Sequence, residues 1–247
     1  MQGLVTLDFG NSNPHAGLFA GSGSEWKLQK VVPFKDLESA LKDSGLTPDN
    51  TNFVLSEVKN RDEELMLFLN QGYLLTRVKE YWRGKMFAGM PVNYAQSLGE
   101  DRLIQAFYLF KKFKTKTLIL DAGSYTTMDI LTEEGFKGGY IIPGLKNYFA
   151  SFDAGELLKG VERETSLTLD LPHDTKNAMS ASYQAFGALL HNLLDQHKIQ
   201  KVFVSGGGMK YWEEILDDSR PSLEITADPN LIHHSLFHWF TTQIEPL

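Results

Sequence analysis

Apolar residues recur along this chain in two rhythms. Short runs of strand length stand at Leu4 to Leu7, Phe53 to Leu55, Leu118 to Leu120, Tyr140 to Ile142 and Val202 to Val204, each flanked by polar or glycine-bearing segments. Between them the spacing is helical. From Asp101 to Lys112, the residues Leu103, Phe107 and Phe110 fall on one face, and from Asp174 to Gln196 so do Ala178, Phe186, Leu189 and Leu193. Strands alternating with helices predict an α/β protein with a largely central mixed sheet. No low-complexity stretch or Pro-rich linker interrupts the pattern, so the two expected domains, residues 1–115 and 116–247, should meet at a compact junction.

One internal similarity organises the halves. Leu4 to Phe19 (LVTLDFGNSNPHAGLF) and Leu118 to Leu131 (LILDAGSYTTMDIL) share a plan of apolar strand, Asp-x-Gly, small polar residues and second apolar strand. Each predicts a β-hairpin with a phosphate-sized loop at its tip. A single Asp-x-Gly also fits an ordinary turn whose Asp satisfies local amides, whereas two copies in matched strand contexts imply two similar lobes facing each other across a cleft.

The chemistry of these tips suits phosphoryl transfer. The Gly lets backbone approach a ligand, and Asn11-Ser12-Asn13 or Ser124-Tyr125-Thr126-Thr127 supply amides and hydroxyls. Asp8 and Asp121 would repel a phosphate directly, so their expected action is through a cation or ordered water. There is no G-x-x-x-x-G-K-[ST] string and no G-x-G-x-x-G after a strand. A third glycine cluster, Gly206-Gly207-Gly208, follows the Val202 to Val204 run and precedes a helix-compatible stretch, which fits a nucleotide seat or a plain turn. Gly99-Glu100-Asp101-Arg102 opens the first periodic helix. The Asp there fits a simple cap, and it also fits transfer to an alcohol, with a carboxylate to accept the hydroxyl proton and a guanidinium to grip an anionic substrate.

Bulk properties narrow the field. The 247 residues are 42% hydrophobic, ample for a core without staples, and there is no cysteine for disulfides or thiolate metal sites. A formal charge of −7 disfavours nonspecific nucleic-acid binding; the basic stretch Lys111 to Lys116 reads as a solvated helix end. The start MQGLVTLDFG has no basic leader region, and no apolar run approaches the ~18 residues of a membrane span, so neither nucleic acid nor membrane is an expected partner and the cytoplasm is the expected location. His233, His234 and His238 are not expected to bind metal, since adjacent histidines point apart. Trp82, Trp212 and Trp239 are expected in the core or an interface.

Taken together, the motifs resemble those of the type III pantothenate kinase family, in the superfamily of acetate kinase, sugar kinases, Hsp70 and actin. The family's D-x-G-N-T appears as Asp8-Phe9-Gly10-Asn11-Ser12, its G-x-D-R as Gly99-Glu100-Asp101-Arg102, its D-x-G-T-A-x-T-x-D as Asp121 to Asp129, and G-G-x-I-x-P-G stands intact at Gly138 to Gly144. The resemblance implies duplicated actin-like (ribonuclease H-like) lobes, each a mixed central sheet flanked by helices, with a cleft between them. It implies ATP-dependent phosphorylation of pantothenate to 4'-phosphopantothenate. Asp101 would be the general base; Gly99, Glu100, Asp101, Arg102 and Thr175 would bind pantothenate, and Tyr94 is the candidate for the family's pocket tyrosine. Asp8, Gly10, Asn11, Ser12, Asn13 and Ser124 would bind ATP with Mg2+. Asp121 would hold a monovalent cation, K+ or NH4+, and the active form would be a homodimer.

The chain departs from the pattern at several places. Serines replace threonines at positions 12 and 124, a tyrosine stands at 125 where the family has alanine, and Gly208 replaces the acid of a late T-G-G-D motif. An early S-S-V-x-P element reads Ser56-Glu57-Val58-Lys59-Asn60, a Gly ahead of Thr175 is lost, and Ser182 falls in an altered position. Tyr125 and Gly208 motivate an alternative, a non-catalytic pantothenate kinase-like regulator or binding protein. A third reading is a phosphatase or kinase of the same superfamily with another substrate.

Overall fold

A computed structural model describes residues 2–22, 25–162, 171–217 and 222–244. They fall into two compact units, one of Met1–Lys114 with Glu134–Phe136 and Asn230–Leu247, the other of Thr115–Glu133 with Lys137–Pro229. The C-terminal helix therefore clusters with the first unit, although any single cut along the chain would place it in the second.

In the first unit, β1 (Gln2–Phe9), β2 (His15–Ser22), β3 (Glu25–Pro33), β4 (Thr51–Glu57) and β5 (Leu74–Arg77) form a sheet in the order β3-β2-β1-β4-β5. The first three strands run as an antiparallel meander; β4 lies parallel to β1 and β5 parallel to β4. Parallel neighbours need crossovers, and α1 (Leu37–Ser44) and α2 (Asp62–Asn70) lie in the two connections. Alternation along β1 divides its side chains between the two faces. Val5, Leu7 and Phe9 join Phe53 and Leu55 in a core closed by Leu37 and Leu41 of α1 and Phe68 of α2. Thr6 points to the other face, where its hydroxyl meets His233 Nδ1 at 2.7 Å. That face is covered by α3 (Glu100–Lys112) and by α8 (Leu231–Trp239), with a small antiparallel sheet of β6 (Trp82–Arg83), β7 (Met86–Phe87) and β8 (Met90–Pro91) at its margin. Phe87 of β7 packs edge-on to Phe107 of α3 and stacks on Trp239 of α8.

The second unit repeats the plan. Its strands β9 (Thr117–Ala122), β10 (Tyr125–Thr132), β11 (Gly135–Pro143), β12 (Lys201–Ser205) and β13 (Glu224–Ala227) take the order β11-β10-β9-β12-β13, strand for strand that of the first sheet. Here β10 is antiparallel to β9, and β12 is parallel to both β9 and β13. The helices are α4 (Leu145–Ser151), α5 (Thr175–Ser182), α6 (Gln184–His197) and α7 (Met209–Asp217). Leu118, Leu120, Met128, Val202 and Val204 build a core with Leu190 and Leu193 of α6 and Trp212 and Leu216 of α7.

The helical period read from Asp174 to Gln196 resolves into two helices, α5 and α6, divided at Tyr183. The Tyr140 to Ile142 run lies on the edge strand β11, which leaves Tyr140 and Ile141 about half exposed. Lys111 and Lys112 occupy the last turn of α3, where they complement the negative end of its dipole. Among the described residues, no helix is long and apolar enough to cross a membrane.

Candidate active site

The first tip hangs between β1 and β2, where Asp8 sits directly across from His15. Asp8 is mostly buried, and its Oδ2 lies 3.4 Å from His15 Nε2. Burial pushes the His15 pKa down, so at neutral pH the ring is an uncharged partner of the carboxylate. Gly10 is half-buried, while Asn11, Ser12 and Asn13 are exposed, as ligand-facing donors must be. Gly10 has an ordinary negative φ, and a Cβ placed on it would meet only Asp8 Oδ2, at 3.8 Å. What this glycine provides is open space rather than a turn. A cavity of about 920 Å³ opens beside the tip, lined by Asn13, Pro14, His15, Phe34, Arg61 and Phe68 among others. Its lining is largely apolar, and Arg61 is held by Glu64 at 2.8 Å. The donors there suited to phosphate are those of the tip itself and the Lys35 ammonium group, which also lines the cavity.

The second element of this unit's site is the start of α3. The helix begins beside the carboxyl end of β4, where Glu57 N–H donates to Glu100 Oε2 at 3.1 Å. In the same register, β4 pairs Ser56 with Asp8 and Glu57 with Phe9. The Asp8 strand end and the Gly99-Glu100-Asp101-Arg102 motif are thus joined through two residues of β4, at the carboxyl ends of parallel strands where α/β sheets commonly bind ligands. Gly99 is the N-cap residue with extended backbone. A Cβ there would meet Asp101 Oδ1, so this glycine lets the Asp101 carboxylate keep its observed position. Asp101 is half-buried and accepts the Arg102 backbone N–H at 2.8 Å, which fixes its carboxylate at the helix start. The Arg102 side chain is buried, with its guanidinium 5.2 Å from the Tyr94 ring centre and 5.9 Å from that of Phe136.

Tyr94 therefore stands beside Arg102. Phe136 escaped the sequence reading because it arrives from the short excursion Glu134–Phe136. It is docked by a bridge between Val92 and Phe136 and by Asn93 N–H donating to Phe136 O at 2.9 Å. Gly135 makes the excursion possible: its φ is +102°, and a Cβ would strike Pro91 O. Glu100 differs from its neighbours, for its side chain is buried and burial pushes its pKa up to about 7.

In the second unit the other tip joins β9 to β10. Asp121 and Ser124 are half-buried there, and the Tyr125 ring is half exposed. Two further segments buttress this tip. Gly144 N–H donates to Ser124 O at 3.0 Å, Asn147 Nδ2 donates to the same oxygen at 2.7 Å, and Gly208 N–H donates to Ala122 O at 2.9 Å. A Cβ on Gly144 would strike the carbonyls of Gly123 and Ser124. Gly206, at φ +84°, would place one 2.6 Å from the Ala122 carbonyl carbon and 2.7 Å from Asp121 Oδ1. Both the intact G-G-x-I-x-P-G element and the late glycine cluster thus converge on the second loop as backbone supports. Thr175 is exposed in the first turn of α5, which Asp174 caps by accepting the Asn177 N–H at 2.8 Å.

Among the described residues, no group of three or more His, Cys, Asp and Glu is placed to hold a metal ion. His233 is buried against Thr6 with its pKa lowered to about 3 by burial, and is therefore neutral. Trp212 and Trp239 are fully buried.

The model of the type III pantothenate kinase family matches residues 4–196 of this chain. A type III pantothenate kinase of Syntrophus aciditrophicus is 26% identical over 198 residues, covering 72% of this chain and 74% of the relative. One of Syntrophotalea carbinolica is 24% identical over 245 residues, covering 92% and 95%. Among solved structures, a candidate Baf family transcriptional activator from Campylobacter jejuni matches with TM-score 0.60 at 20% identity, covering 96% of this chain and 98% of that one. A candidate 2-dehydro-3-deoxygalactonokinase from Sinorhizobium meliloti matches with TM-score 0.58 at 12% identity, covering 99% and 100%. At such identities the two structures speak to the fold alone, the duplicated mixed α/β plan. The family match runs from β1 into α6 and takes in both Asp-x-Gly tips, the start of α3 and Thr175, and on that span the chain belongs to the type III pantothenate kinase family.

Proposed function

We propose that this protein transfers the γ-phosphoryl group of ATP to the primary hydroxyl of pantothenate, giving ADP and 4'-phosphopantothenate in the entry step of coenzyme A synthesis. The observation that carries the reading is the start of α3. It presents a half-buried carboxylate and a buried guanidinium beside the strand ends that carry the first phosphate loop.

In this reading, Asp101 accepts the hydroxyl proton as the new P–O bond forms and the bond to ADP breaks. Arg102 and Tyr94 hold the pantothenate carboxylate, with Gly99 keeping space for the Asp101 side chain and Thr175 giving a further contact. The tip residues Gly10, Asn11, Ser12 and Asn13, together with Ser124, grip phosphate oxygens. Most of the acceleration comes from positioning and charge neutralisation, with base assistance as a smaller share.

Asp8 would hold Mg2+ through water, and the ion would supply neutralisation of charge on the phosphates. Its mostly buried carboxylate suits a site completed by substrate oxygens, which fits the lack of a protein-only metal cluster among the described residues. Asp121 would hold K+ or NH4+. Its Oδ1 and the Ala122 carbonyl oxygen both lie close beside Gly206, and would offer oxygen ligands of the kind a hard cation takes. The working form in this proposal is a cytoplasmic homodimer.

Asp101→Asn is expected to lower kcat roughly 10²- to 10⁴-fold with an unchanged thermal midpoint, read by ADP release in the presence of pantothenate. Substantial residual turnover would defeat the base assignment. The non-catalytic reading predicts pantothenate binding by calorimetry with no ADP release from the wild-type chain. A kinase for another substrate predicts ATP consumption that is indifferent to pantothenate.

A further inference from the structure

We infer that Glu100 is a positioning residue of the acceptor side, whose carboxyl group pins the first turn of α3 to β4 and to the turn at Val78–Tyr81 rather than touching substrate.

The geometry of its surroundings supports this. Glu100 is 7% exposed. Its Oε2 accepts the Glu57 N–H at 3.1 Å, and the Lys79 backbone N–H also donates to it. These two donors come from separate elements, and a carboxyl group offers two acceptor oxygens to meet them. A glutamine keeps one acceptor oxygen but can never supply the charged carboxylate, and an alanine would leave both N–H groups buried without an acceptor.

The groups facing Glu100 are Arg77 and Lys79 from the β5 side, Glu57 from β4 and Asp101 from its own helix. The two cations pull its pKa down without offsetting the effect of burial. Arg77 is bound by Glu57 at 3.0 Å and by Asp62, and Lys79 is bound by Glu57. Glu57 is thus doubly paired, and Glu100 is left with amides as its direct partners. Burial together with the Asp101 charge keeps its proton on until the neutral range. The residue that clamps the helix start therefore changes charge under working conditions, next to the residue that receives the substrate proton.

The kinetic half of the inference rests on the phosphoryl-transfer reading; the structural half does not. In ADP-release assays from pH 5.5 to 8.5, Glu100→Gln is expected to lower kcat roughly tenfold through misplacement of Asp101, with the KM for pantothenate within about twofold. The wild-type inflection near pH 7 should be absent from the variant. Glu100→Asp, which keeps the charge but shortens the reach, should retain a pH inflection without recovering kcat.

Carbon-detected NMR of glutamate side chains, independent of any substrate, should show a Glu100 carboxyl titrating near 7. Hydrogen exchange at the Glu57 and Lys79 amides should be faster in Glu100→Gln. A Glu100→Gln variant with raised pantothenate KM and unchanged kcat would make Glu100 a substrate contact and overturn the inference, as would a Glu100 carboxyl titrating near 4.5 with unaltered amide exchange. If the wild-type chain shows no pantothenate-dependent ADP release, the proposed function fails while the titration and exchange still decide the role of Glu100.

Discussion

The two Asp-x-Gly tips occupy the same place in two sheets of identical strand order and both are braced by main-chain amides, yet they differ in the room around them and in the side chains alongside. The second is fixed by main chain, with amides of Gly144 and Gly208 on its carbonyls and with Gly144 and Gly206 packed where no Cβ fits. The first is braced by main chain too, with Val58 N–H on Phe9 O at 3.0 Å and Phe34 N–H on Pro14 O at 2.9 Å, but it leaves Gly10 open and is flanked by titratable side chains: His15 lies against Asp8, and the neighbouring strand end carries Glu57, bound to Glu100, Arg77 and Lys79. The repeated topology thus repeats its main-chain support, and what it does not repeat is the closeness of packing and the neighbouring side chains. Close main-chain packing makes the second tip intolerant of added atoms; the first tip has room for them, and its neighbouring side chains respond to protons.

That contrast can be broken most forcefully at Gly206. Gly206→Ala adds a Cβ against the Ala122 backbone and at the same time forces a side-chain-bearing residue to φ +84°. Together these should lower stability by on the order of 4 kcal/mol, seen as a fall in the denaturant midpoint. A loss below about 0.5 kcal/mol would show that the second tip yields more readily than its packing implies.

Next in size is the proton dependence of the first unit. The folded chain holds the Glu100 proton to about pH 7 against an ordinary value of 4.5, so its contribution is fully present below 4.5 and is lost as pH rises through 7. The swing is on the order of 3 kcal/mol. Denaturation curves of wild type and Glu100→Gln should accordingly shift relative to each other between pH 4.5 and 7.5, with the variant gaining as pH rises; a constant offset would refute the buried proton.

The smallest effect on stability is expected at the first tip. Gly10→Ala meets no close atom and needs no unusual φ, so the thermal midpoint should stay within about 0.5 kcal/mol of wild type. The KM for ATP should nevertheless rise, because the methyl enters the space proposed for phosphate. A stability loss matching that of Gly206→Ala would erase the distinction between the tips.

Much of this was legible in the chain. The duplicated hairpins could be read because an apolar strand, an Asp-x-Gly and a second apolar strand are local patterns, set by side-chain alternation and turn chemistry over a few residues. The start of α3 was legible for the same reason, since Gly99 and the charged first turn directly precede a periodic run. The role of Gly10 was only half visible: sequence indicates that a side chain is missing, while the reason, space rather than dihedral freedom, depends on neighbours. Tyr183 ends one helix and begins another without proline or glycine to announce it. Phe136 beneath Arg102 and the C-terminal helix against β1 are contacts between residues far apart in the chain. Glu100 illustrates the limit best. As a letter in G-x-D-R it looks like a pocket residue, and only burial, two amide donors and a rival acid that captures both nearby cations make it a buried proton holder.

The sequence by itself determined the elements, their duplication and the chemical types gathered at each tip, because these follow from periodicity and turn preference within short windows. Tertiary structure decided which backbone amides brace the second loop, which side chains surround the first, and which carboxyl keeps its proton. Desolvation and hydrogen bonding depend on what lies within a few ångströms in space, and the order of residues along the chain does not specify those neighbours.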